Sequence, residues 1–260
     1  MSLQTSGRRI ALVLEYDGSG FAGSQLQKNA ASIQGELENA LAELTGERLR
    51  AALAGRTDAG VHARCQVAAF TTTSTLATDV FVRGLNARLP QQIAVRRALE
   101  APDNFDPRRH ARSRTYRYTI YNAPVRSPIW AARAWHVAEP LDTEAMRDAA
   151  GALVGEHDFA AFSRRESAHT VRCVKRAELT RRGPLVTLEV EANAFLRQQM
   201  RRTAGAVAQV GTGRLTPAGF REIFGHAEPA SAGPVAPAHG LCLVRVTYAG
   251  LDLEGPDALS

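Results

Sequence analysis

Between Ile10 and Leu99 the spacing of apolar residues switches repeatedly between runs that suit a strand and repeats that suit a helix. The order of those switches limits the fold more than any single motif does. Ile10 to Tyr16 reads as a strand, and Ser32 is placed to cap a helix that carries Ile33, Leu37, Leu41 and Leu44 on one face and stops at Gly46. Leu49 to Ala54 and Cys65 to Thr71 read as two further strands. A helix opens at Asp79 and runs through Val82, Leu85 and Leu89, and Ile93 to Leu99 closes the series as a strand. The resulting order, β-α-β-β-α-β, is that of the ferredoxin-like split unit.

After the stretch APDNFDPRR the order recurs. A strand at Arg114 to Tyr121 precedes a helix at Asp142 to Leu153 with Met146, Ala150 and Leu153 on one face. Strands at Val171 to Thr180 and Leu185 to Ala192 follow, with Arg182-Gly183-Pro184 near their turn. A helix from Phe195 to Val210 spaces Leu196, Met200, Thr203 and Val207 helically, a short one opens at Thr216-Pro217, and Leu241 to Tyr248 ends the set as a strand. The expected fold class is α+β, with two halves at residues 8–106 and 107–250 and a cleft between them as the substrate site.

A chain of 260 residues with 45% hydrophobic content buries a substantial core. No apolar run is long enough to cross a bilayer. The opening MSLQTSGRRIALVLEYDG is expected to carry no secretory segment, since its apolar run reads as the first strand, and the expected location is the cytoplasm. Cys65, Cys173 and Cys242 lack metal-ligand spacing, and the seven histidines form no H-E-x-x-H pair, so neither a disulfide framework nor a metal site is expected.

Of the 32 basic Lys and Arg residues only Lys28 and Lys175 are lysine, and the net charge is +6. Position is more informative than number. From Pro107 to Ala138 there is no acid, but there are seven arginines, Arg108, Arg109, Arg112, Arg114, Arg117, Arg126 and Arg133, interleaved with tyrosine and tryptophan. A second acid-free stretch, Ala192 to Arg221, carries Arg197, Arg201, Arg202, Arg214 and Arg221. Clustered arginine with aromatics suits a phosphate backbone and unstacked bases, which favours RNA over a membrane surface as partner; a solvated strand-and-loop face is the alternative.

Residues 54–63, AGRTDAGVHA, place Arg56 and Asp58 two apart in a segment whose glycines favour a sharply turned loop. Asx-turn chemistry alone accounts for many aspartates in such loops, with Arg56 as a solvated neighbour, and a functional pair is the other reading. His62, in the same loop, fits a structural hydrogen-bonding role better than that of a base.

GRTDAGVHA, with EYDGSGFAGSQLQ before it, RSRTYRY after it and NAFLRQQMRR towards the C-terminus, resembles the TruA family of tRNA pseudouridine synthases across residues 10 to 248. The resemblance implies two ferredoxin-like halves whose sheets line a basic central cleft, a homodimer, and tRNA as substrate. It also implies isomerisation of uridine to pseudouridine at positions 38, 39 and 40 of the anticodon stem-loop, without a cofactor. Asp58 is then the catalytic carboxylate, as nucleophile or base, and Arg201 its ion-pair partner. Arg56 would displace the target base, Tyr116 would stack on the target uracil, and Arg108, Arg114 and Arg197 would contact substrate.

The chain departs from the family pattern at Ser24 and Leu26, where many members have tryptophan and arginine, and at Asp106, where histidine is common. The reaction breaks the N1–C1′ bond, turns the uracil and joins C5 to C1′, so nothing is oxidised and no group leaves. A carboxylate is needed, to attack the sugar or to take a proton from C2′. A tRNA-binding or remodelling protein without catalysis, and an enzyme on a small phosphorylated ligand held by the Gly-rich loop, are the competing readings.

Overall fold

The run IALVL is apolar at every position, which suits a strand covered on both faces, and it forms the middle of β1 (Arg8–Tyr16) in the computed structural model, with Ile10 through Leu14 buried. The structure describes residues 7–163, 169–225 and 228–253. It is an α+β protein whose chain divides into two compact units. One holds residues up to Arg112 together with Leu243 onward, and the other spans Ser113–Cys242. The expected halves, 8–106 and 107–250, assigned the last strand to the second half, whereas Leu243 onward groups with the first.

In the first unit Ser32 caps α1 (Ile33–Thr45), its hydroxyl accepting from the Gly35 N–H at 3.2 Å. Gly46 ends the helix in the left-handed conformation, φ +76°. β2 (Ala52–Leu53), β3 (His62–Thr72), α2 (Thr78–Asn86) and β4 (Ile93–Ala101) follow. β1 lies between β4 and β3, antiparallel to both, and β2 pairs with Ala68 and Ala69 of β3. The last strand, β10 (Leu241–Tyr248), is a neighbour of β3.

β2 is shorter than the expected Leu49–Ala54 because side chains of α1 occupy the backbone of Ala51. Glu38 Oε1 accepts from its N–H at 3.0 Å, and Gln34 Nε2 donates to its carbonyl at 3.1 Å. α2 stops at Asn86 instead of continuing to Leu89, and the Asn86 amide bonds both backbone groups of Val95 in β4, at 2.8 and 2.9 Å.

Beyond β4, Asp106 organises a turn: Oδ1 accepts from the N–H groups of Arg108 and Arg109 at 2.8 and 2.9 Å, and its own N–H donates to His110 Nδ1 at 3.3 Å. Burial works to raise the Asp106 carboxyl. The N–H donors of Arg109 and Arg108, with the charges of Arg109 and His110, outweigh it and hold the group below its ordinary range. The turn presents the exposed side chains of Arg108 and Arg109.

The second unit opens with β5 (Ala111–Asn122), which belongs to it from Ser113 onward. β6 (Trp135–Val137), α3 (Thr143–Gly151) and β7 (Gly155–Asp158) follow, then β8 (Val171–Arg182), β9 (Leu185–Ala192), α4 (Gln199–Gly211) and α5 (Pro217–Glu222). Its strands run β5-β9-β8-β7 in antiparallel pairs, with β6 parallel to β5. Tyr116, Tyr118 and Ile120 of β5 and Val186, Leu188 and Val190 of β9 are buried, and α3 packs on β8 and α4. The expected helix at Phe195 begins only at Gln199, because Gln198 takes a left-handed conformation, φ +64°, that cannot continue a helix.

A strap at residues 230–236 crosses α4. Ala236 exchanges two bonds with Arg201: its N–H donates to the Arg201 carbonyl at 3.1 Å and its carbonyl accepts from Arg201 Nε at 2.8 Å. Arg202 Nη1 donates to the carbonyls of Ala230 and Gly233, at 3.1 and 2.7 Å. The two backbones approach so closely that a Cβ at Gly205 would sit 2.2 Å from the Pro234 carbonyl oxygen.

Gly205→Ala gains up to about 1 kcal/mol of helix propensity. It also displaces backbone that has no room to move, and a net loss of about 1–3 kcal/mol is expected. A denaturation midpoint at or above that of the wild type would show that the strap yields. A second expectation concerns Asp106. A depressed carboxyl contributes stability that is complete above its unfolded value of about 3.9 and is lost as pH falls through the folded value. The stability gap between the wild type and Asp106→Ala therefore narrows as pH is lowered below about 4, and a gap independent of pH would assign the effect to shape alone.

Candidate active site

Three consecutive residues of the loop between β2 and β3 alternate in burial: Arg56 is exposed, Thr57 is buried and Asp58 is half-buried. The loop thus turns Thr57 inward and leaves the charged residues on either side of it more accessible.

Each polar atom of Thr57 is held. Its N–H donates to Ser24 Oγ at 2.8 Å, its carbonyl accepts from the Ser24 N–H at 3.0 Å, and Oγ1 meets the Tyr16 hydroxyl at 2.9 Å. Gln66, fully buried in β3, continues the brace. Its amide bonds the N–H and carbonyl of Gly55 at 3.2 and 2.9 Å and donates to the Tyr16 hydroxyl at 3.3 Å.

Two glycines allow this close fit. A Cβ on Gly23, which has φ +107°, would stand 2.8 Å from the Thr57 carbonyl oxygen, and one on Gly18 would stand 2.0 Å from that of Val61. Ser24 is wholly buried and acts as a brace for the loop. Leu26 is 38% exposed, and its N–H donates to Gln34 Oε1 at 3.0 Å, tying the same loop to α1.

His62, at the start of β3, has Nδ1 3.1 Å from both the Gly18 N–H and Asp17 Oδ1. An unprotonated Nδ1 accepts from Gly18, and a protonated one donates to Asp17. Either way the ring fastens the Asp17–Gly18 corner to the end of the candidate loop.

On the second unit, Tyr116 is 7% exposed and packs edge-on against Phe195, with ring centroids 4.9 Å apart and an interplanar angle of 80°. Its neighbour Tyr118 is fully buried and donates to the Pro237 carbonyl at 2.8 Å. Burial pushes the Tyr118 phenol far up, and the charge of Arg201 works in the opposite direction. Arg201 is half-buried and bonded to Ala236.

Arg114 is buried, with Nη1 donating to the Asn193 carbonyl at 3.1 Å. Arg197 is exposed in the turn before α4, so it is not the helical neighbour of Arg201 that the expected helix made it. The first unit thus carries Arg56, Asp58 and Arg108, and the second carries Arg114, Tyr116, Arg197 and Arg201.

The acid-free stretches are not acid-free in space. Arg117 pairs with Glu189 at 3.0 Å, Arg214 with Glu139 at 2.6 Å, and Arg221 with Asp148. Arg108, Arg112, Arg126, Arg133 and Arg197 are exposed, as is Arg109, whose Nε lies 3.9 Å from Asp106 Oδ2. Among the described residues no group of three His, Cys, Asp or Glu is gathered to hold a metal ion, and no helix is long and apolar enough to cross a membrane. Reading the sequence missed Thr57, Tyr16 and Gln66. The one available signal was a small polar residue between two charged ones, which marks the inward position.

Comparison with known proteins places these features in a family. A family model described as tRNA pseudouridine synthase matches residues 12–108 and 149–249. The chain is 46% identical over 243 residues to a protein named tRNA pseudouridine synthase A from Pelobacter propionicus, covering 93% of this chain and all of that one. It is 43% identical over 253 residues to a protein of the same name from Myxococcus xanthus, covering 96% of this chain and 94% of the relative. A third of that name, from Roseiflexus sp. strain RS-1, is 46% identical over 246 residues, covering 93% of this chain and 91% of its own length. With the matched segments containing the braced R-T-D loop and α4, the chain belongs to the tRNA pseudouridine synthase family.

Proposed function

We propose that this pseudouridine synthase isomerises uridines 38, 39 and 40 in the anticodon stem-loop of tRNA, with Asp58 as its catalytic carboxylate. The observation that carries the reading is the R-T-D segment, in which buried Thr57 fixes the loop between an exposed Arg56 and a half-buried Asp58. On this reading each unit is a ferredoxin-like half. The β4-β1-β3 order, with β2 on the far strand, supports that for the first. The protein works as a homodimer in the cytoplasm, and Arg201 is the ion-pair partner of Asp58.

The chemistry needs no net oxidation. The N1–C1′ bond breaks, a C5–C1′ bond forms, C5 gives up its proton and N1 gains one. Asp58 serves either by attacking C1′ or by taking the C2′ proton and returning it, and Arg201, which stays charged, is suited to bind both carboxylate oxygens. A uridine stacked in a stem must first be extruded, at a cost of about a few kcal/mol. Arg56, exposed beside the carboxylate, fills the space left behind, and the target uracil stacks on Tyr116. Arg108 and Arg197 are exposed and suited to phosphates. We assign Arg114, buried against the Asn193 carbonyl, to holding the turn that leads into α4.

Asp58→Asn should remove isomerisation of an unmodified tRNA transcript while leaving its Kd within a few-fold, because phosphate contacts dominate affinity. Measurable turnover by the pure variant would refute the assignment. Arg56→Ala should slow single-turnover reaction most on a stem-loop whose target uridine is paired and least on one whose target is open. Equal slowing of both would mean that Arg56 supports the carboxylate or a phosphate instead of extrusion.

A further inference from the structure

We propose that Tyr16 and Thr57 act as a pair of positioning residues for the isomerisation, through the hydrogen bond between their hydroxyls, with Ser24 and Gln66 holding each of them in register. The proposal rests on Asp58 being the catalytic carboxylate. Neither hydroxyl belongs to the reacting set: Tyr16 is 3% exposed and Thr57 7% exposed, on the inward side of the loop. The loop itself has little to stiffen it, being irregular from Ala54 to Val61, with glycines at positions 55 and 60, the latter at φ +79°.

Its shape is therefore set from outside, by two rows of contacts. One row is backbone-directed: Ser24 takes the Thr57 N–H at 2.8 Å and gives its own N–H to the Thr57 carbonyl at 3.0 Å. The other is side-chain directed: Gln66 fixes Gly55 at one end and the Tyr16 hydroxyl at the other, and Tyr16 meets Thr57 Oγ1 at 2.9 Å. The first row fixes where residue 57 sits. The Ser24 bond to the Thr57 carbonyl also sets the rotation of the peptide between Thr57 and Asp58, and the second row locks the Thr57 side chain inward against β1 and β3, so that the peptide carrying the carboxylate keeps its place relative to the sheet. Misplacing a catalytic group by about 1 Å can cost about 100-fold in rate, so the second row is where small changes in the loop reach the chemistry.

Four variants test this, with single-turnover rate and Kd on an unmodified tRNA transcript as the two readouts and the thermal midpoint as the check of folding. Tyr16→Phe and Thr57→Val each keep the packed shape and remove one hydroxyl. Each is expected to slow the chemical step about 10- to 100-fold, with Kd within about twofold of wild type. Combining them should be no slower than the slower single variant, since both act through one bond. Thr57→Ser, which restores the hydroxyl, should return the rate to within about threefold of wild type. Asp58→Asn is measured beside them.

Wild-type rates in Tyr16→Phe and Thr57→Val, with Asp58→Asn inactive, would overturn the positioning role alone. Activity in Asp58→Asn would overturn the catalytic reading and this proposal with it. Multiplicative losses in the double variant, failure of Thr57→Ser to recover, or a loss of tRNA affinity matching the loss of rate would each reduce the pair to ordinary structural contacts.

Discussion

A buried threonine holds the loop that presents Arg56 and Asp58. The segment Gly55 to Gly60 lies outside the sheet ladder that orders its neighbours, and its glycines leave the backbone free to turn. Thr57 replaces the missing ladder with three bonds of its own, to both backbone-facing groups of Ser24 and to the Tyr16 hydroxyl. Tyr16 ends β1 and Gln66 lies in β3, so the loop inherits its position from two adjacent strands of one sheet. A charged pair on a Gly-flanked loop would otherwise sample many directions. Fixing the residue between them fixes the backbone that carries both.

The second unit applies the same physics to a helix. α4 carries Arg201 and Arg202 in its first turn, and each is engaged by carbonyls of the 230–236 strap, while Gly205 lets that strap lie against the helix. The arginines therefore divide by partner. Arg117, Arg214 and Arg221 are taken by Glu189, Glu139 and Asp148, Arg114 and Arg202 by backbone carbonyls, and Arg108 and Arg197 are exposed, each on its own unit. The net charge of +6 is thus a poor guide to which arginines meet RNA.

Much of the fold was legible because local pattern and burial agree. β9 has the expected bounds, Leu185–Ala192, since LVTLEVEA alternates strictly and buries every second residue. Ser32, Gly46 and Thr216 cap the helices their chemistry suggests. What was not legible depends on partners distant in sequence. Nothing near Ala51 announces that Gln34 and Glu38 will occupy its backbone and shorten β2. The left-handed turn at Gln198, which delays α4, falls at a residue with no intrinsic preference for it. β7, GEHD, has no strand pattern and exists because β8 pairs with it. At the candidate site Arg56 and Asp58 were readable from spacing and glycine. Thr57 was not, because its importance lies in bonds to residues 24 and 16.

The central claim is that a braced loop directs Asp58 at a uridine of the anticodon stem-loop. Its most direct test is to incubate the protein with an unmodified tRNA transcript tritiated at uracil C5 and to map pseudouridine at single-nucleotide resolution. Joining C5 to C1′ displaces the C5 hydrogen, so the account predicts tritium released to water in equal number to the pseudouridines formed, all at positions 38, 39 and 40. Release confined to other positions of the transcript, or no release while the tRNA is bound, would contradict it.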